Sequence, residues 1–244
     1  MNILLTLAYD GTNYCGWQKQ KNGVSVQSVL EAALYSVFGA YTPTVGASRT
    51  DSGVHAMSQK VSFVVENSKI PAANLPKVIN SKLPNDISVR DAELVAGGFN
   101  PRFRAVSKTY VYRILNDTYP NPLLRNYTWH VPRGLDAGLM AQAGGYFVGT
   151  RDFAAFAAAG NSHKTTVRTI YSLDITKEDT IISITVRGNA FLYNMIRIMA
   201  GTLAAVGVGK IPPERIPEII VSGDREKAGQ TAPPQGLTLL DITY

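Results

Sequence analysis

The stretch "SVQSVLEAALYSVFG", Ser25 to Gly39, decides the fold class. Val26, Val29, Leu30, Ala33, Leu34, Val37 and Phe38 recur at the spacing of one helical face, so a helix with a single apolar stripe is predicted. Ser25 supplies a side-chain oxygen for the amides of the first turn, and Gly39 can take the left-handed conformation that ends a helix. On either side the period changes to two. Ile3 to Tyr9 reads as a strand, and "KVSFVVE" alternates Val61, Phe63 and Val65 toward one side, the pattern of a half-buried strand. A helix from about Pro71 to Lys82 and a strand from Ile87 to Val95 follow, with room for a short strand near Pro43. The first half therefore reads β-α-β-α-β.

The second half repeats that order without repeating the sequence. Lys108 to Leu115 is a predicted strand, with Tyr110, Tyr112 and Ile114 on one side and Val111 and Leu115 on the other. Asp136 caps a helix that runs to about Phe147, "RTIYSLDIT" and "TIISITVRG" form a hairpin around Glu178 and Asp179, and Phe191 to Val206 is a long apolar helix. A short helix starts after Pro212 and Pro213, and "LTLLDITY" ends the chain as a strand. The turn-rich "GGFNPRF" marks the join between the halves. The expected architecture is α+β: two halves of the split β-α-β type, 1–104 and 105–244, joined around a mostly antiparallel sheet. A cleft between them is the natural place for a ligand.

Among 244 residues, 45% are hydrophobic and 17% charged, which is globular rather than disordered composition. Cys15 is the only cysteine, so no internal disulfide can form, and a reducing cytoplasm is expected. The opening "MNILLTLAYD" has no basic region ahead of its apolar residues and reads as a strand, not a signal peptide. No window is long enough to cross a bilayer without charge or proline, so no membrane partner is expected. The net charge of +6 suits a polyanion, because lysines and arginines at phosphates release counterions. Its distribution sharpens this. "FNPRFRAVSKTYVYR" carries Arg102, Arg104, Lys108 and Arg113 with no acid, among Phe103, Tyr110 and Tyr112. Cations for a backbone and aromatic faces for bases are what a single-stranded nucleic acid requires, although a basic amphipathic strand has the same composition.

Several chemistries lack their parts. His55, His130 and His163 lie far apart with no ligand spacing, and with one cysteine a zinc site has no ligands to draw on. "VGVGKIPP" lacks the P-loop frame, and neither a dinucleotide fingerprint nor a Gly-x-Ser-x-Gly elbow occurs. Chemistry with no cofactor and no metal is the expectation.

That directs attention to "ASRTDSGVHA", residues 47 to 56, with its single carboxylate Asp51. Asp-Ser-Gly is a common turn, which is the plain structural reading. It is also the tripeptide of aspartic proteases, but their mechanism needs two carboxylates sharing a proton, and this chain has one copy behind Arg49 and Thr50. A guanidinium two positions away opposes a protonated carboxyl. The third reading is an ionised Asp51 acting on a sugar–base centre, with an arginine partner to keep it charged. Such chemistry needs the base out of its stack, and Arg49 is placed to fill the gap.

"SRTDSGVHA" resembles the G-R-T-D-A-G-V-H-A signature of the TruA-type tRNA pseudouridine synthases. "GWQKQ", "SVQ" and "NSKLPNDI" are similar to that family's N-terminal half, and "FNPRFRAVSKTYVY", "RDFAAF", "NAFLYNMIR" and "APPQGL" to its second half. The blocks fall in order across nearly the whole chain. Ser48 stands where the family usually has Gly, and Ser52 where it usually has Ala; both leave Arg49, Thr50, Asp51 and Gly53 in place.

The resemblance implies two ferredoxin-like halves around a cleft, no cofactor, and conversion of uridine to pseudouridine at positions 38, 39 or 40 of the tRNA anticodon stem-loop, by a homodimer. Asp51 would be the nucleophile, Tyr110 would pack on the target base, and Arg197 would pair with Asp51. An arginine in an otherwise apolar helix also calls for a carboxylate on physical grounds. Arg49 would enter the RNA stem or hold the flipped nucleotide, and Arg102, Arg104 and Lys108 would contact phosphates, which position RNA without specifying its sequence. His55 is expected to fix the loop by hydrogen bonding. The rival readings are an RNA-binding module of the same fold without catalysis, and a pseudouridine synthase acting on another RNA site.

Overall fold

The computed structural model describes residues 1–21, 23–66, 68–160 and 165–244; His163 lies outside them. In chain order the elements are β1 (Asn2–Tyr9), α1 (Val26–Phe38), β2 (Thr44–Gly46), β3 (His55–Val64), α2 (Leu75–Asn80), β4 (Ile87–Val95) and α3 (Pro101–Arg104). There follow β5 (Ser107–Leu115), β6 (Trp129–His130), α4 (Ala137–Gly145), β7 (Gly149–Asp152), β8 (Val167–Glu178), β9 (Ile181–Gly188), α5 (Met195–Gly207), α6 (Arg215–Ser222) and β10 (Leu237–Thr243). The chain is thus a mixed α+β protein whose strands pair mostly antiparallel. No helix among the described residues is long and apolar enough to cross a membrane.

Two compact units form: residues 1–106 with 238–244, and residues 107–237. In the first, β1 lies between β3 and β4, antiparallel to both, with Leu5 opposite Val61 and Ala92. One edge of β3 is shared. β2 pairs antiparallel with its far part, Gly46 opposite Val61, while β10 pairs parallel with its start, Leu239 opposite Ala56. α1 forms as its pattern predicts: the Ser25 side chain accepts from the Ser28 amide, and Gly39 closes the helix at φ 71°. Val26, Leu30, Ala33 and Leu34 of its stripe are buried, as are Leu5, Leu7, Leu75 and Ile79, while Val29, Val37 and Phe38 are half-buried. Burial of this apolar surface is the main force holding the unit together.

In the second unit β9 lies between β5 and β8, antiparallel to each, with Tyr110 opposite Val186 and Ile184 opposite Ile175. β7 extends the edge beyond β8, and β6 runs parallel to the end of β5. α4 packs on both α5 and β8. The β8–β9 turn falls where expected, with Asp179 in a left-handed conformation at φ 52°.

Two helices differ from the sequence reading. α2 covers only Leu75–Asn80, preceded by a single 3-10 turn at Ala72–Asn74. α5 begins at Met195 rather than Phe191, because Asn194 takes the left-handed conformation at φ 58° and "NAFLY" stays outside the helix. Arg197 therefore lies in the first turn of α5, not deep within it.

The segment 229–232 runs along α5 in backbone contact. Gly229 N–H donates to Thr202 Oγ1 at 2.9 Å, and Ala232 N–H donates to Arg197 O at 3.1 Å. A Cβ on Gly201 would lie 1.8 Å from Gln230 O, so only glycine admits this approach. Gly201→Ala gains about 1 kcal/mol of helix propensity, but the overlap with a backbone oxygen outweighs it. Net destabilisation of about 2 kcal/mol or more is expected, read as a lower urea midpoint at unchanged slope.

Candidate active site

The Asp51 loop is an excursion between two paired strands. After Gly46, one further backbone bond, Ala47 N–H to Lys60 O at 2.8 Å, extends the β2–β3 ladder. The chain then lifts off at Ser48 and returns as β3 at His55. Ala47, Ser48, Thr50, Val54 and His55 are buried, Arg49 and Ser52 are exposed, and Asp51 is half-buried at the crest. Val54 N–H closes onto Asp51 O at 3.1 Å, and Gly53 takes φ 77° to complete the turn.

The residues that follow β1 hold this loop from the side. Trp17 N–H donates to Thr50 O at 3.0 Å, and the Tyr9 and Thr50 hydroxyls are 2.8 Å apart. Tyr14 O accepts from Gly53 N–H at 3.3 Å and from Ser52 Oγ at 3.1 Å. Tyr14 is itself anchored, its hydroxyl donating to Asp86 Oδ1 at 2.6 Å; burial and that carboxylate hold its pKa well above the usual tyrosine value. Gly16 sits at φ 101°, and a Cβ there would come 2.6 Å from Thr50 O, so the two backbones touch. Trp17 is fully buried behind it, stacked on Tyr9.

His55, 4% exposed, lies at the return of the loop. Gly11 N–H donates to its Nδ1 at 3.0 Å, and Asp10 Oδ1 is 3.1 Å from the same nitrogen. One nitrogen cannot both accept from Gly11 and donate to Asp10, so its protonation decides which bond forms. Either way His55 ties the loop to the end of β1, as a loop-fixing residue should.

Both departures from the family signature are accommodated. Ser48 needs no left-handed backbone, since the described non-glycine residues with positive φ are Asp179 and Asn194. Ser52 adds the hydroxyl bond to Tyr14 O that an alanine could not make.

The first unit also brings Arg49 and Arg102 together. Arg102, on α3 and half-buried, has its pKa lowered by burial and further by the charge of Arg49. Among the described residues no carboxylate forms an ion pair with either. Two guanidiniums that repel each other without a counter-ion form a place where an anion is favoured. α3 is built for this presentation. Asn100 caps it by accepting from Arg102 N–H at 3.0 Å, while Phe103 and Arg104 stand exposed.

In the second unit Tyr110 is buried on β5, its ring edge-on to Phe191 with centroids 5.3 Å apart. Lys108, two residues earlier, is half-buried opposite Gly188. Arg197 is held firmly: Nε donates to Ala232 O at 2.8 Å and Nη1 to Asn194 Oδ1 at 2.7 Å. The left-handed Asn194 thus has a use, turning its side chain onto the arginine. Tyr112 donates to Pro233 O at 2.8 Å; burial raises its pKa well above the usual range, and the charge of Arg197 opposes that shift.

Sequence reasoning singled out Arg49, Asp51, Arg102, Arg104, Lys108, Tyr110 and Arg197. It missed the supports: Gly11, Gly16, Tyr9 and Tyr14 under the Asp51 loop, and Phe191 and Asn194 beside Tyr110 and Arg197. A glycine that takes positive φ or lies against another chain segment has no local signal in the sequence. "NAFLYN" could have been questioned, because two asparagines bracket a stretch assigned to an apolar helix.

A family model described as tRNA pseudouridine synthase matches residues 6–103 and 143–244. A tRNA pseudouridine synthase A of Thermoanaerobacter sp. (strain X514) is 49% identical over 243 residues, covering 100% of this chain and 99% of the relative. One of Acetivibrio thermocellus is 46% identical over the same length, with the same coverage. Among solved structures, a Cbf5–Nop10–Gar1 complex aligns over 97% of this chain, at 11% identity and a TM-score of 0.37.

Gly16→Ala places a side chain against Thr50 O and forces an unfavourable φ. A loss of about 1–3 kcal/mol in urea unfolding is expected. Wild-type stability in this variant would show that the Asp51 loop is not held by backbone contact at Gly16.

Proposed function

We propose, for a chain that belongs to the tRNA pseudouridine synthase family, a family of isomerases that act on tRNA, that it converts uridine to pseudouridine in the anticodon stem-loop, at positions 38, 39 or 40. In this reading the N1–C1′ bond of the target uridine breaks, the uracil turns, and a C5–C1′ bond forms. C5 loses its proton and N1 gains one. Atoms balance and nothing is oxidised or reduced, so the reaction calls for no cofactor and no metal.

Asp51 is the nucleophile that starts the cleavage. The observation that carries this is its setting: a half-buried carboxylate at the crest of a loop held through Thr50, Ser52 and Gly53, with an exposed arginine two residues before it. Such preorganisation lets a weak nucleophile meet a sugar carbon in one geometry. Arg197 is assigned to the same chemistry, as the positive charge that keeps Asp51 ionised. Its bonds to Ala232 O and Asn194 Oδ1 fix the guanidinium plane, which supports a directed role over a solvated one. Tyr110 packs on the target base; its edge contact with Phe191 supports an aromatic wall there.

Arg49 enters the RNA beside the extruded nucleotide, and Arg102, Arg104 and Lys108 take phosphates. The uncompensated Arg49–Arg102 pair supports an anionic partner at that face. The two halves, 1–104 and 105–244, are each of the ferredoxin-like, split β-α-β type. The pairings that support this reading are β3 between β1 and β2 in the first half, and β9 between β5 and β8 in the second. The enzyme is proposed to work as a cytoplasmic homodimer.

The test is tritium release from tRNA labelled at uracil C5, with wild type and Asp51→Asn compared at equal tRNA binding. Release by the wild type and none above background by the variant is expected. Equal release from both would remove Asp51 from the chemistry, and tight binding with release from neither would leave a non-catalytic RNA-binding protein. Arg102→Ala should weaken binding of unrelated tRNAs alike, and lower the slope of log K against log salt by about 1. An unchanged slope would remove Arg102 from the phosphate contacts.

A further inference from the structure

We infer that Gln59 is a positioning residue for the isomerisation, its side-chain amide serving as the last rung of the ladder that sets the base of the Asp51 loop. This rests on the reading of Asp51 as nucleophile.

Gln59 lies on β3, opposite Leu7 of β1, and is completely buried. The regular β2–β3 ladder pairs Gly46 with Val61, and Ala47 N–H still reaches Lys60 O at 2.8 Å. Ser48 would come next, opposite Gln59, but here the chain lifts off. The Gln59 side chain spans the gap. Its Oε1 accepts from Ser48 N–H at 3.2 Å, and its Nε2 donates to Ser48 O at 2.6 Å. A carboxamide carries one acceptor and a donor on the same planar group, as a peptide does, so it continues the sheet one side-chain length away from it.

That displacement has a consequence for the site. The three residues after Ser48 are Arg49, Thr50 and Asp51. With the backbone of Ser48 held at both its donor and its acceptor, the direction in which the chain leaves β3 is fixed before Asp51 is reached. The bonds to Thr50, Ser52 and Gly53 hold the crest; Gln59 sets the foot. A side chain of equal size without both functions cannot do this. Methionine offers neither bond, and an ionised glutamate would set a carboxylate oxygen against Ser48 O. The loop would then keep its crest contacts but tilt, and small misplacements of a reacting group cost rate, not binding.

The experiment measures tritium release from C5-labelled tRNA at limiting and saturating tRNA, for wild type, Gln59→Met and Asp51→Asn, with thermal melts of each. The expected result for Gln59→Met is a kcat lower by about 10²-fold at unchanged KM, in protein that melts cooperatively above the assay temperature. Wild-type kcat in Gln59→Met would overturn the inference, as would a parallel change in KM that follows the loss of folded protein. Should Gln59→Met melt below the assay temperature, both proteins are assayed at a temperature below its melt, where the same split in kcat and KM is expected. Undiminished release by Asp51→Asn would overturn the reading of the nucleophile itself, whatever Gln59→Met does, so the two failures are distinguishable.

Discussion

The contact on which the site depends is that of two backbones at Gly16 and Thr50. A Cβ at residue 16 would stand 2.6 Å from the Thr50 carbonyl oxygen, so the stretch after β1 lies directly on the residue before Asp51. From that contact follow the amide bond of Trp17 to Thr50 O, the hydroxyl pair of Tyr9 and Thr50, and the double acceptance of Ser52 and Gly53 by Tyr14 O. Here the neighbours of Asp51 carry the structural burden.

Electrostatics complement this rigidity. Arg49 and Arg102 are left close to each other without an ion-paired acid among the described residues, a repulsion that a bound anion would relieve. Arg197 is treated differently, with two of its donors committed to Ala232 O and Asn194 Oδ1. One pair of arginines awaits a charge; the other arginine is aimed. In the proposed reaction these correspond to holding the RNA and to keeping the Asp51 carboxylate ionised.

Much of this was legible in the sequence. The stripe from Val26 to Phe38 gave the first helix with both caps, because amphipathic period and end-capping residues are local properties. The strands at Asn2–Tyr9, Ile87–Val95, Ser107–Leu115 and Leu237–Thr243 likewise followed from alternation and from bounding turns. The start of α5 was not legible, since an apolar run from Phe191 onward looks continuous until Asn194 turns left-handed. The candidate site residues stood out by type, a lone carboxylate and arginines in apolar or basic settings. Their supports did not. Gly16 and Tyr14 act through contacts with residues far along the chain, Gln59 acts on a residue in a neighbouring segment, and a glutamine on a strand reads as a surface residue until it is found fully buried.

The measurement that tests the account most directly is mapping of pseudouridine in an unmodified tRNA transcript after incubation with the intact protein. Carbodiimide treatment followed by reverse transcription locates each pseudouridine as a stop one nucleotide to its 3′ side. The account predicts new stops for positions 38, 39 or 40 and none elsewhere. Stops at other uridines alone, or no new stop under conditions where the tRNA is bound, would contradict it.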